Sequence, residues 1–239
     1  MKKRIPLGKL LPVYVIVLIG CICIAHFGSQ AVTAMVELSP VTGQRCYIID
    51  AGHGGIDGGA TSCTGVPESQ LNLQIALRLN DLMRLLGYST RMIRTTDTSV
   101  YTEGKTIAAQ KVSDLKERVR MVNETENGIL ISIHQNTFPD GRYSGAQVFY
   151  ADDSISKDKA ARLQNSLIAC LNPGSNRRPK SSEGIYLMQH IEKPGVLIEC
   201  GFLTNPEEES LLRSEEYQKK LSCVIASAVS LNCATPLCV

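Results

Sequence analysis

Short apolar runs alternate with longer amphipathic stretches from residue 45 to about residue 231. Cys46–Ile49, Tyr88–Ile93, Ile129–Ile133, Ala146–Tyr150, Gly184–Met188 and Gly195–Ile198 are of strand length and rich in β-branched and aromatic residues. Between them the apolar spacing changes to three or four. From Pro67 onward Leu71, Ile75, Leu79, Leu82 and Leu86 share one helical face, and Gly87 supplies the stop. A second helix carries Leu115, Val119 and Val122, and a third carries Leu163, Leu167 and Leu171 before Asn172-Pro173-Gly174. Helical spacing returns after the last strand and runs to about Leu231. Residues 95–111 are polar and without period, which predicts a long loop, a kind of segment that often carries function. Strands alternating with helices predict one α/β domain over residues 45–232, a mostly parallel twisted sheet of about six strands flanked by helices. A tail, 233–239, follows.

The first 34 residues follow another pattern. Four basic residues and no acid in MKKRIPLGK precede an unbroken apolar run, Leu10–Ala25. That order is the signature of an export segment, either a signal anchor or a signal peptide, followed by a linker at 35–44. Three fates are open: an uncleaved anchor, cleavage after Val32-Thr33-Ala34, or lipidation at Cys21 in Leu18-Ile19-Gly20-Cys21. Each puts the bulk of the chain outside the cytoplasm, tethered to the membrane or secreted.

Composition narrows the partners. A net charge of +2 with 20% charged residues gives no basic field for nucleic acid and no pull toward a strongly acidic partner. Of nine cysteines, Cys21 and Cys23 fall in the export segment, leaving an odd seven with no C-x-x-C pair. Several fall inside apolar runs where a free cysteine is a small core residue, and a disulfide framework is not expected. A bridge within the tail, Cys233 to Cys238, stays open.

Three of the apolar strands run into side chains that titrate or bind metals: Ile48-Ile49-Asp50-Ala51-Gly52 into His53, Ile129–Ile133 into His134, and Gly195–Ile198 into Glu199. Ligands of open α/β sheets bind outside the carboxyl ends of the strands, so these distant positions can meet at one rim. Two histidines suit zinc, which in hydrolytic sites takes a third protein ligand and keeps one position open. Glu68, just after Pro67 in the first helical turn, is the leading candidate for that third bond. The run Gly52–Gly59, with glycine at 52, 54, 55, 58 and 59, would then wrap the ion without bulky side chains in the way. Glu199 is left free to take a proton from the attacking water and pass it to the leaving nitrogen. Asn136, two residues past His134, is the candidate for substrate contact.

Competing assignments are plainer. A glycine-rich turn after a strand often cradles phosphate, but Asp57 stands where the last glycine of G-x-G-x-x-G belongs and no Walker lysine follows. Glu68 alone could be a first-turn acid favoured by the helix dipole, and a lone His134 a structural one. Asp50 and Asp57 are expected as turn residues bonding their own backbone. His190 could line the rim, and the basic loop Asn176–Lys180 could attract a carboxylated polymer. No G-x-S-x-G turn supports a serine nucleophile.

In order, Asp50-Ala51-Gly52-His53-Gly54-Gly55, Glu68, Ser132-Ile133-His134-Gln135-Asn136 and Val196 to Asn205 resemble the successive motifs of the zinc-dependent N-acetylmuramoyl-L-alanine amidases. That resemblance implies one zinc ion on His53, Glu68 and His134, with Glu199 catalytic. Segments at 96–104, 114–119, 144–147 and 184–189 are similar to the germination-specific branch found in spore formers. This implies cleavage of the amide between N-acetylmuramic acid and L-alanine in spore-cortex peptidoglycan, in the space between forespore and mother-cell membranes. A muramic acid deacetylase would then allow the muramic-δ-lactam to form. Cys200 departs from the small aliphatic usual beside Glu199, and strand alternation predicts that it points into the core. The alternatives are a zinc peptidase cutting within the stem peptide, a non-catalytic peptidoglycan-binding regulator, or an enzyme needing an accessory activator protein.

Overall fold

A computed structural model describes residues 45–230; the expectations for 1–34, 35–44 and the tail lie outside the described residues. In chain order the elements are β1 (Cys46–Ala51), α1 (Glu68–Leu85), β2 (Ser89–Met92), α2 (Ile107–Asn123), β3 (Gly128–Asn136) and β4 (Gln147–Tyr150). They continue as α3 (Ser154–Cys170), β5 (Lys180–Ser181), α4 (Tyr186–His190), β6 (Gly195–Phe202), α5 (Pro206–Arg213) and α6 (Glu215–Ser230). The strands form one sheet in the order β2-β1-β3-β6-β4-β5. β2, β1, β3 and β6 are mutually parallel, β4 runs antiparallel to β6, and β5 pairs parallel with β4. This is the single α/β domain that the hydrophobic pattern predicts.

Central strands are apolar on both faces because helices cover both. Ile49, Ile131, Ile133 and Ile198 join Leu71, Ile75, Leu79, Leu163 and Leu221 in the larger core cluster, under α1, α3 and α6. Ile48, Leu130 and Leu197 join Val122 and Leu187 in the smaller one, under α2 and α4. Each fully buried Ile or Leu contributes about 1.5–3 kcal/mol, so the middle strands form a stiff base for whatever their ends carry.

Three elements differ from the sequence pattern. Gly184–Met188 is not a strand: Gly184 takes φ 83°, Ile185 N–H donates to the Ser182 carbonyl, and the short helix α4 follows. A short apolar run fits a buried helical turn as well as a strand, and this turn decides it. The sixth strand is instead the two-residue β5, which starts at Lys180, the last residue of the basic loop. α2 begins at Ile107, within the expected loop, its first turn capped by the Thr106 side chain accepting from Ala109 N–H. Ile107, Val112 and Leu115 on that helix are exposed, while its buried face carries Ser113, Asp114, Arg118 and Val122. A helix that buries polar residues hides its period. No helix among the described residues is long and apolar enough to cross a membrane.

Candidate metal centre

Parallel pairing brings the carboxyl ends of β1, β3 and β6 to one rim. Asp50 lies beside Ser132, and His134 beside Glu199, in register. Gly52 N–H donates to the Ile133 carbonyl at 3.0 Å, which holds the loop after β1 against β3. His53 then takes φ 61°, a left-handed conformation that costs a non-glycine residue about 1 kcal/mol.

Two buried guanidiniums hold that conformation. Arg118, from α2, donates to the Ala51 carbonyl at 3.1 Å and to the His53 carbonyl at 2.7 Å. Arg94, just past β2, donates to the Ala51 carbonyl at 2.8 Å. Its Nη2 reaches both the Gly52 carbonyl at 3.1 Å and the Ser69 carbonyl at 2.9 Å, tying the glycine loop to the first turn of α1. Arg118 is itself held by Asp114, at 2.6 Å, and by Asp50, whose other oxygen accepts from Ser132 Oγ at 2.7 Å. Asp50 is therefore not a turn residue. It is a buried strand carboxylate that orients an arginine.

Glu68 is the first residue of α1, and its side chain lies between two imidazoles. His53 Nε2 is 3.3 Å from Glu68 Oε2, and His134 Nδ1 is 3.0 Å from Glu68 Oε1. One ligand atom from each of His53, Glu68 and His134 lies within 4.8 Å of the other two. Backbone N–H groups of Ala60 (3.0 Å) and Gln135 (3.1 Å) and the Asn72 amide (3.2 Å) also donate to Glu68. Burial acts to raise the Glu68 pKa, but the two histidines outweigh it and hold the carboxyl well below the usual carboxylate range. His53 responds in the opposite sense. Burial acts to lower its pKa, yet Glu68 and Asp57 push it up to about 9. Anionic partners on both sides of that ring call for positive charge between them. Two imidazole nitrogens and a carboxylate oxygen are the donor set that zinc takes at catalytic sites.

The glycine run now has a reason at two places. A Cβ on Gly52 would lie 2.2 Å from His134 Nε2, so the His134 ring packs directly on the loop backbone. Gly59 takes φ 68°, and a Cβ there would lie 2.6 Å from Glu68 Oε2 and 2.7 Å from the His53 ring.

Glu199 is an interior residue of β6, between His134 on β3 and Gln147 on β4 in register. Its Oε2 is closed off from solvent and has no hydrogen-bond partner among the described residues. Burial pushes its pKa up to about 7, with Glu68 adding to the rise and His134 opposing it. Such a group is poised to take and return a proton near neutral pH. Asn136 ends β3 at the same rim, half-buried, its carbonyl accepting from Leu203 N–H at 2.8 Å.

Other sequence candidates separate from this cluster. His190 is exposed, stacks on Tyr186, and its carbonyl accepts from Asn123 at the end of α2 that leads into β3. That is the amino end of the strands, opposite the cluster, so His190 does not line this rim. Asp57 accepts from Gly59 N–H as a turn residue would, but its Oδ2 also lies 2.9 Å from His53 Nδ1, and Lys111 holds its other oxygen at 2.8 Å. A carboxylate on the far nitrogen of a ligand histidine fixes ring and tautomer. Cys200 is fully buried in the larger core cluster, as alternation predicts, and burial pushes its thiol up. Cys46, Cys63, Cys170 and Cys223 are free thiols too, but they are not core residues: Cys46 is half-buried and the other three are exposed.

Arg94, Arg118, Asn72 and Gln135 had no role assigned from the sequence, although Arg118 and Gln135 lie in segments that carry the family resemblance. Asn72 had a signal: four residues after Glu68 puts it on the same helical face. Arg94 had none, because its partners are carbonyls far along the chain; Arg118 has Asp114 four residues before it, but its other partners, Asp50 and the Ala51 and His53 carbonyls, are distant.

Two imidazoles joined by one carboxylate, with the half-buried Glu199 carboxylate alongside at the carboxyl rim of an α/β sheet, form a cluster that could hold a metal ion, an arrangement suited to hydrolysis. Residues 48–230 match the N-acetylmuramoyl-L-alanine amidase family, and the chain belongs to it. It is a peptidoglycan hydrolase acting on the N-acetylmuramoyl-L-alanine amide. The germination-specific N-acetylmuramoyl-L-alanine amidase of Bacillus subtilis is 39% identical over 192 residues, 80% of either chain. Among solved structures, the CwlD amidase of Clostridioides difficile, in complex with the GerS lipoprotein, superposes with a TM-score of 0.75 at 36% identity. That match covers 78% of this chain and 96% of that one. An N-acetylmuramoyl-L-alanine amidase from Clostridium difficile 630 gives 0.66 at 31% identity, over 78% and 95% of the two chains.

Proposed function

We propose that the chain is a zinc-dependent amidase that removes stem peptides from spore-cortex glycan, with His53, Glu68 and His134 holding one zinc ion and Glu199 moving the proton. The observation that carries this is the pairing of a carboxylate bridging two imidazoles with an unpartnered, buried Glu199 oxygen beside them. When bound, zinc supplies a Lewis acid that polarises the amide carbonyl and makes water nucleophilic near neutral pH. Asp57 and the Asn72 amide hold His53 and Glu68 in place. Glu199, fixed on a central strand, accepts the proton lost by water and delivers it to the alanine nitrogen as the amide breaks. Asn136 contacts the substrate beside His134.

The 39% relative named for germination supports the cortex as the setting, an extracytoplasmic one in the space between forespore and mother-cell membranes. A muramic acid deacetylase would act on the muramic acid that this cleavage exposes. The C. difficile amidase bound to a lipoprotein supports an accessory partner here as well. The apolar segment Leu10–Ala25 supports a membrane tether.

The test is digestion of purified cortex peptidoglycan followed by mass spectrometry of the fragments. Muramic acid freed of its peptide is the expected product; shortened stems would instead establish a stem peptidase. Removal of metal by a chelator is expected to abolish turnover, and one equivalent of zinc to restore it. Gly52→Ala is expected to weaken zinc binding by about 10–100-fold, as loss of a support behind a ligand does, because the new methyl displaces the His134 ring. Competition with a fluorescent chelator measures it, and unchanged affinity would remove the close-packing explanation.

A further inference from the structure

The loop between β3 and β4 presents two exposed aromatic rings at the same rim, in a chain with only four phenylalanines, eight tyrosines and no tryptophan. Phe138 and Tyr143 are 45% and 48% exposed, and their ring centroids are 4.4 Å apart. Tyr143 lies 6.3 Å from the buried ring of Phe202, and the Arg177 guanidinium stands over that ring at 5.1 Å. Phe202 is in register with Asn136, just as Glu199 is with His134. The step between these two pairs is three residues on β6 but two on β3, where the register shifts, so it spans about 7–10 Å, the scale of one to two sugar rings from the Glu199 carboxylate.

The loop is tied down on both sides. Phe138 N–H donates to Thr204 Oγ1 at 3.2 Å, Gly145 N–H to the buried Glu208 carboxylate at 2.8 Å, and Arg177 to the Ser144 carbonyl at 3.0 Å. The rings are thus exposed on a braced loop beside a catalytic rim, an arrangement that binds without first paying for order. Exposed aromatic faces attract the C–H faces of sugar rings, whose burial is apolar in character while the hydroxyls stay wet. Arg177 adds donors suited to acetamido carbonyls.

We propose that Phe138 and Tyr143, backed by Phe202 and Arg177, form a subsite that stacks an N-acetylated aminosugar of the glycan strand, next to the muramic acid being processed. This deepens the amidase reading of the same rim and rests on it. The basic loop gains a role as well, because Arg177 lies against the platform rather than free in solvent.

The full chain, solubilised in detergent and loaded with zinc, would be assayed on two substrates: polymeric peptidoglycan and a single N-acetylmuramoyl-tripeptide with no neighbouring sugar. For the Phe138→Ala/Tyr143→Ala variant, the ratio of kcat/KM on polymer to kcat/KM on the monosaccharide is expected to fall about tenfold, mostly through KM. Tyr143→Phe keeps the ring and is expected to retain the ratio. An unchanged ratio, whether both values hold or both drop together, would overturn the subsite. If the unaltered enzyme cleaved neither substrate, the amidase reading would fail on its own account. Co-sedimentation with glycan stripped of stem peptides would then decide the platform, which predicts binding that the double variant loses.

Discussion

Glu199→Gln is expected to lower kcat on a muramoyl-peptide substrate by about 10²–10⁴-fold, the usual worth of a positioned general acid–base group. Glutamine keeps the size and polarity of the side chain but can neither accept the proton of an attacking water nor return it to a leaving nitrogen. Metal content should remain at one ion per chain, because Glu199 stands outside the cluster of His53, Glu68 and His134. The fold should also survive, since Oε2 has no partner to lose. Kinetics together with metal analysis check both halves. Undiminished kcat would reject the role of Glu199, and a metal-free variant would make it a ligand instead.

Arg118→Met is expected to destabilise the domain by about 3–5 kcal/mol, a large part of the 5–15 kcal/mol that holds a typical domain together. Removing the guanidinium strands Asp50 and Asp114, both packed against it on the inner face of α2. It also releases the Ala51 and His53 carbonyls at the positive-φ turn. At about 2–4 °C per kcal/mol for a domain of this size, the melting temperature should drop by about 10 °C. Asp50→Asn in the same background should recover part of the loss, because no uncompensated charge then remains at that position. Acid should act on the same pair. Burial alone would raise the Asp50 pKa, but Arg118 and the Ser132 hydroxyl outweigh it and hold the carboxyl below its ordinary value. A depressed folded pKa contributes stability that is present above the unfolded value and lost as pH falls through the folded one. Unaltered protein should therefore lose stability below about pH 4, and the Arg118→Met/Asp50→Asn variant should lose less over that window. Thermal melts between pH 2 and 7 measure both effects; a double variant as acid-sensitive as the unaltered protein would contradict the assignment.

The sequence by itself determined the layout. Apolar runs of strand length placed β1, β3, β4 and β6, and the three-and-four spacing from Leu71 placed α1. These signals are readable because each reflects burial of one face or two by a regular element, which leaves a local period. His53, His134 and Glu199 stood out because strand ends in parallel sheets converge.

Tertiary structure decided what has no local period. α4 replaced an expected strand because a turn at Gly184, not composition, set its backbone. The buried face of α2 escaped notice because it is polar and takes its meaning from Asp50, 68 positions earlier in the chain. Arg94 donates to carbonyls of Ala51 and Gly52, 43 and 42 residues away, and a carbonyl belongs to every residue, so no side-chain pattern could reveal it. The residues that touch the chemistry are chosen by type and leave a trace in the sequence. Those that aim them are chosen by place, and only the folded chain shows where that place is.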